Sequence, residues 1–241
     1  MNSEILFPAF LAGILVLSTH VPFGQEVLKR GIIFIDLTLA QIAGLGLIIA
    51  HSFGWETHGW EEQLIATLAA LSGATLLAWT EKHFKEHQEA LIGSLFVITA
   101  SMGILLLAHN PHGGEHLKDL LVGQILWVET QHLWATMILY AFLLGIWFYF
   151  AHFRERIFYF LFALMITASV QLVGVYLVFA SLIMPALATS NLKIGYLIGT
   201  LGYGSGLMIA HYFDLPAGAV IVLMLGLNSI IASLFRKAIT H

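Results

Sequence analysis

The residue pattern predicts an all-α, polytopic helical membrane protein with eight or nine membrane segments, one of them broken around 174–185. Three observations carry this. Apolar residues fill 59% of the 241 positions, and only 10 basic and 14 acidic residues are present. An average soluble domain is about 25% charged, so 10% is too little charge to solvate a globule of this size. The charges also cluster, and the uncharged runs between clusters match the roughly 20 residues that cross a bilayer as a helix. Finally, the basic residues fall at alternate ends of those runs, the asymmetry that orients membrane helices.

Taken in order, residues 5–25 carry no charge, and 31–55 carry only Asp36. The runs 63–80, 90–114, 130–153, 157–192, 194–213 and 215–235 follow. The run 157–192 is too long for one pass, because as a straight helix it would extend about 54 Å. It is also short for two passes. It therefore predicts one full helix to about Gly174 and a shorter, broken segment through Pro185. Residues 120–132 are too few to span. They predict a short helix lying at the outer surface, with Trp127 in the interfacial belt.

Orientation follows from the basic pairs Lys29/Arg30, Lys82/Lys85, Arg154/Arg156 and Arg236/Lys237. Placing them all in the cytoplasm puts the N-terminus outside and the C-terminus inside, with Lys118 the exception. The start, Met-Asn-Ser-Glu, lacks a basic segment, so the first run reads as a retained helix rather than a cleaved signal. No linker divides the chain, and residues 1–241 are expected to form one transmembrane domain. Gly195 with Gly199, and Gly202 with Gly206, sit one turn apart, as where membrane helices pack closely.

Composition removes several functions. A net charge of −4 leaves no basic footprint for nucleic acid. No cysteine is present, which excludes disulfides, thiolate metal sites and cysteine nucleophiles. No Gly-x-x-x-x-Gly-Lys-Ser/Thr occurs, so the chain cannot hydrolyse ATP through a P-loop.

A few residues carry chemistry. Asp36 is the one charge well inside a predicted span, where a carboxylate is costly and faces a cavity or a partner. It reads either as a transport-path residue or as an interhelical hydrogen bond or cap. Gln41 lies five residues on, about 140° further round the helix. His109, His112, Glu115 and His116 crowd one outer loop, and His51 and His58 another, beside Glu56, Glu61 and Glu62. Imidazole and carboxylate suit zinc and its neighbours. These loops read as a weak site that gathers metal, or simply as polar loops. The pairs His83/His87 and His112/His116 have the spacing of membrane di-iron oxygenases. The topology puts them on opposite sides of the bilayer, where they cannot share a metal. Gln171 and Asn228 read as polar groups that join helices.

Four segments resemble, in order, the permease subunit of zinc/manganese/iron ABC importers. They are Gly24-Gln-Glu-Val-Leu-Lys-Arg-Gly-Ile-Ile-Phe-Ile-Asp36 running into Leu-Thr-Leu-Ala-Gln41, Glu89-Ala-Leu-Ile-Gly-Ser-Leu-Phe, Val173-Gly-Val-Tyr through Met-Pro185-Ala, and Asp214-Leu-Pro216-Ala-Gly218. The resemblance implies a transport subunit rather than an enzyme. It implies a homodimer in the bacterial plasma membrane, surrounded by lipid, that accepts a divalent metal ion from an extracytoplasmic metal-binding protein. A separate cytoplasmic P-loop ATPase would drive it. The metal, zinc by first expectation, would be cargo, with no cofactor permanently bound. The resemblance also implies that the second span lines the metal path, which in that family carries an Asp and a His one turn apart. Here Gln41 stands where the His would be, and Leu37 where the Asp would be, with Asp36 one residue upstream. The family's docking segment for the ATPase is shortened to His152-Phe-Arg-Glu-Arg156. The alternative is therefore a degenerate relative acting as an uncoupled accessory or assembly protein. The 81–89 segment is a second source of cytoplasmic contacts.

Overall fold

Helices account for all the regular structure among the described residues, 3–52, 60–107, 123, 125–128 and 130–240 of a computed structural model. Among these described residues nine α-helices run in order: α1 (Ser3–Arg30), α2 (Ile35–Ser52), α3 (Trp60–His83), α4 (Gln88–Leu107), α5 (Thr130–Tyr149), α6 (Arg154–Val173), α7 (Val175–Ala188), α8 (Leu192–Phe213) and α9 (Ala217–Thr240). Single 3₁₀ turns occupy Lys85–His87, Ile125–Trp127 and Ala151–Phe153.

The expected count of eight or nine membrane segments is not confirmed among the described residues. Six helices among the described residues are long and apolar enough to cross a bilayer: α1, α3, α4 (with the turn before it), α5, α6 and α9. Two more, α2 and α7, are apolar but short. The 22-residue α8 is long enough, but its glycines, tyrosines and His211 dilute its apolarity. The short interfacial helix expected over 120–132 is, among its described residues, only the turn Ile125–Trp127, while Gln131 and His132 already belong to α5.

The break in 157–192 falls at Gly174, between α6 and α7. Its backbone takes φ 81° and ψ 161°, a region open essentially to glycine alone. A Cβ on the facing Gly123 would run into Val173 and Gly174. Beyond the break α7 continues unbroken through Pro185. At 14 residues it is about 21 Å long, and ten of those residues are buried.

The chain forms two compact units. The first comprises residues 1–30, 121–142 and 172–241. In it α1 packs on α7 and α8, and α9 packs on α7 and α8. The glycine pairs of α8 explain how. A Cβ at Gly195 would lie 2.9 Å from Val21 of α1, and one at Gly199 would strike Leu17. One at Gly202 would lie 2.5 Å from Leu225 of α9, and one at Gly206 2.6 Å from the Cα of Ile221. One pair thus meets α1 and the other α9, the close helix approach that small residues permit. Pro8 and Pro22 sit inside α1. A proline lacks the N–H that would bond the carbonyl four residues back. At Pro22 that carbonyl belongs to Ser18, and Tyr196 Oη donates to it instead at 3.0 Å.

The second unit comprises residues 31–120 and 143–171. Here α2 packs on both α3 and α4. Cβ atoms at Gly46 and Gly73 would lie 2.6 Å from Ala69 and Ile42. Arg154, at the start of α6, donates from Nε to the Trp147 carbonyl at 2.9 Å and lies 5.0 Å from that ring's centroid. The turn Ala151–Phe153 is thereby pinned, and no longer docking helix intervenes between α5 and α6.

Candidate transport path

The second unit places Asp36, the carboxyl group that sequence spacing singled out. Asp36 lies in the first turn of α2 and is 1% exposed. Neither of its carboxyl oxygens meets a donor at full hydrogen-bond geometry, and among the described residues only the backbone N–H groups of Asp36 itself and Leu37 lie close to them. The turn that carries it is held from α4. Thr38 Oγ1 donates to the Phe34 and Ile92 carbonyls, each at 3.0 Å. Glu89 Oε1 accepts the Phe34 N–H at 3.4 Å. Its second oxygen, Oε2, is buried without a partner, and Glu89 is near enough to act on the charge of Asp36. Next to it Gln88 donates from Nε2 to the Leu77 carbonyl at 3.0 Å and to Tyr159 Oη at 3.2 Å. Gln88 Oε1 also has no partner.

Buried polar groups in native proteins are almost always paired, and a carboxyl left bare in an apolar setting is unstable unless something else completes it. The oxygens of Asp36 and Glu89 at one end of the second unit can bind a cation or hold a proton. Gln41 does not join them. It is half-buried on α2, and five residues of helix turn it well away from Asp36.

His109, His112, Glu115 and His116 lie outside the described residues, as does His58. His83 and His87 are exposed, and His83 Nδ1 bonds the Trp79 carbonyl at 2.8 Å. No group of three or more metal-ligating side chains forms among the described residues. Gln171 is exposed, while Asn228 Nδ2 is buried without a partner on α9.

Charge-based reading of the sequence passes over three groups. Gln88 and Glu89 fall in the 81–89 segment read as a source of cytoplasmic contacts, yet they open α4, and Glu89 bonds the Phe34 N–H just before α2. His20 counts as neutral and so disappears into an uncharged run. It sits in α1, is 0% exposed, and has a bare Nε2. The available signal was an imidazole in the middle of an apolar span, where a polar group needs a reason.

Comparison with known proteins bears on the family and the fold. The profile of the ABC 3 transport family matches residues 2–154 and 152–236. A probable metal transport system membrane protein of Chlamydia pneumoniae is 25% identical, with 93% of this chain and 86% of that protein covered. A manganese transport system membrane protein, MntC, of Halalkalibacterium halodurans is 24% identical over 93% of this chain and 85% of its own. A probable iron transport system membrane protein of Haemophilus influenzae is 24% identical over 92% and 88%. Among solved structures, PsaBC from Streptococcus pneumoniae in complex with Fab superposes with a TM-score of 0.73, covering 96% of this chain and 91% of that one. At 22% identity this likeness speaks to the fold.

Proposed function

The chain belongs to the ABC 3 transport family, and from that premise we propose that it is the membrane permease subunit of an ATP-driven importer of divalent metal ions. The observation that carries this reading is Asp36, a fully buried carboxyl with neither oxygen at full hydrogen-bond geometry to a donor, at the start of an apolar helix. Such a group in a membrane segment marks an ion pathway by default.

The metal is manganese or ferrous iron ahead of zinc. Oxygen donors such as Asp36 and Glu89 suit manganese, and relatives are named as a manganese and a probable iron transport system membrane protein. The zinc expectation rested on the family resemblance and on outer-loop histidines, of which His58, His109, His112 and His116 lie outside the described residues and His51 falls in the last turn of α2. With no P-loop in the chain, energy comes from a separate cytoplasmic ATPase, and metal is delivered by an extracytoplasmic binding protein. Two copies form the pathway in the bacterial plasma membrane, each with its N-terminus outside and its C-terminus inside.

A second reading is an uncoupled accessory relative. The single turn Ala151–Phe153 between α5 and α6 favours it. Tagged purification from native membranes in mild detergent separates the two. A P-loop ATPase recovered at near-equal amounts supports the permease. Its absence, where a relative with a longer junction retains its own ATPase, supports the uncoupled protein.

A further inference from the structure

Pro22 leaves a gap in the hydrogen-bond ladder of α1, and a different helix fills it. The proline nitrogen carries no hydrogen, so the Ser18 carbonyl four residues back has no α-helical donor. Tyr196 of α8 donates to that carbonyl from Oη at 3.0 Å. The hydroxyl of Ser18 itself is engaged elsewhere, on the Leu15 carbonyl at 2.6 Å. The tie from Tyr196 is one hydrogen bond between neutral groups, of a strength that is made and broken at little cost.

The packing on both sides of Pro22 is smooth. At Val21, just before the proline, α8 presents Gly195, whose Cβ would lie 2.9 Å from the valine. Two residues after the proline, Gly24 meets the Leu182 carbonyl of α7, and a Cβ there would strike it. The helix α7 has its own interruption at Pro185, and a Cβ on Gly195 would come within 4.0 Å of that ring. Two proline breaks and two glycine contacts thus meet within the first unit, on α1, α7 and α8. Interdigitating side chains lock helices in place, whereas glycine surfaces leave them free to slide, and proline is where helices bend sharply. Neighbouring helices commonly satisfy carbonyls that a proline frees, and that alone would make Tyr196 a plug. The flanking glycine contacts add what a plug does not need, room to bend. Beyond the break α1 continues as Phe23–Arg30, and the connection 31–34 carries the chain on into α2.

We infer that Pro22 is a joint in α1 and that the Tyr196 hydroxyl is its latch. With the bond made, α1 is held in the present form. When Tyr196 releases the Ser18 carbonyl, the segment Phe23–Arg30 swings about Pro22 over the glycine contacts. A pump passes between two forms in every cycle, and such changes are absorbed by a few hinge residues and by small sliding of packed helices. The inference rests on the permease reading and deepens it by naming the residues that bend.

The test is a double-mutant cycle on the full chain with its partner subunits, read by thermal midpoint and by manganese uptake at matched membrane abundance. Pro22→Ala returns an N–H to the Ser18 carbonyl, which closes the joint and makes the latch redundant. Tyr196→Phe is expected to lower the midpoint by about 2–4 °C in the wild-type chain and to have little effect in Pro22→Ala. An equal loss in both backgrounds overturns the latch. Maximal uptake is expected to fall about fivefold or more in Pro22→Ala, and to stay low in the double variant although its stability is restored. A static kink gives the reverse, a double variant that takes up manganese as wild type does. That result, or wild-type uptake by Pro22→Ala, overturns the inference. If Pro22→Ala fails to reach the membrane, spin labels decide. The chain has no cysteine, so Lys29→Cys on α1 and Lys193→Cys on α8, both at exposed positions, carry one label each. The distance between the labels is expected to shift when the complex binds ATP, and an unchanged distance overturns the joint. Wild-type cells that accumulate no transition metal overturn the permease reading itself, a distinguishable failure.

Discussion

Replacing Asp36 with leucine should make the protein more stable and the transporter worse. The carboxyl is 1% exposed and neither oxygen meets a donor at full hydrogen-bond geometry. An unpartnered buried polar group costs about 1–3 kcal/mol in folded proteins. The insertion cost of an aspartate at the bilayer centre, about 2.5–3.5 kcal/mol, is an upper bound here, because Asp36 stands in the first turn of α2. Leucine is close to aspartate in length and removes both oxygens, so Asp36→Leu is expected to gain about 1–3 kcal/mol against unfolding. The assay is the thermal midpoint of the detergent-purified protein, paired with metal uptake in cells at matched membrane abundance. Uptake is expected to fall about tenfold or more, the scale of loss seen when groups that support a metal ion are removed. A lower midpoint would refute the reasoning, since it would mean that the carboxyl is held by a partner and braces the fold. Unchanged uptake would place Asp36 off the ion's route.

Substitutions at four further positions test the packing within each unit. Gly174→Ala should lose about 1–3 kcal/mol, because alanine is strained at the φ and ψ of the break; a thermal midpoint equal to wild type would contradict it. Gly206→Ala should cost about 1–3 kcal/mol by overpacking against the Ile221 backbone. Gly226→Ala, whose Cβ would meet only the flexible end of Met184, its sulfur at 3.7 Å and its methyl at 3.8 Å, should be neutral or stabilising by up to about 1 kcal/mol from helix propensity, and equal melting of the two variants would refute the contrast. Glu89→Ala should destabilise by about 0.5–1.5 kcal/mol through loss of the acceptor for the Phe34 N–H. Glu89→Gln, which keeps an acceptor, should recover most of that in the same melting assay.

Charge spacing was a good guide to the helices. The clusters at Lys29/Arg30, Lys82/Lys85 and Arg154/Arg156 fall at ends of α1, α3 and α6, because charged groups are driven from the membrane interior whatever their neighbours do. The length of 157–192 demanded a break, and Gly174 supplied it through a backbone conformation that needs no side-chain partner. The glycines of α8 were legible as a packing device. Which helices they meet was not, since that depends on Leu17 and Leu225, residues from distant parts of the chain.

The candidate site was half legible for a related reason. Asp36 stood out because a lone charge in an apolar run is costly. Glu89 did not, because one helical turn decides between a loop carboxylate and one folded in against α2. His20 was hidden by its neutrality, and only the contact of Nδ1 with Val16 reveals which ring nitrogen is bare. The spread of the segment count reflects α2, α7 and α8, whose lengths and compositions sit at the margin of what crosses a bilayer unaided. Burial inside the first unit, as in α7, replaces the need for a full apolar span.

The central claim is that this chain carries divalent metal across a membrane at the expense of ATP. The most direct measurement is manganese accumulation in cells stripped of their own importers, expressing this chain with its ATPase and binding protein, with iron and zinc as parallel cargoes. The account predicts accumulation that stops when the ATPase is disabled and falls about tenfold in Asp36→Leu at equal membrane abundance. Absence of accumulation of all three metals, from a chain that reaches the membrane and retains its ATPase, would contradict it.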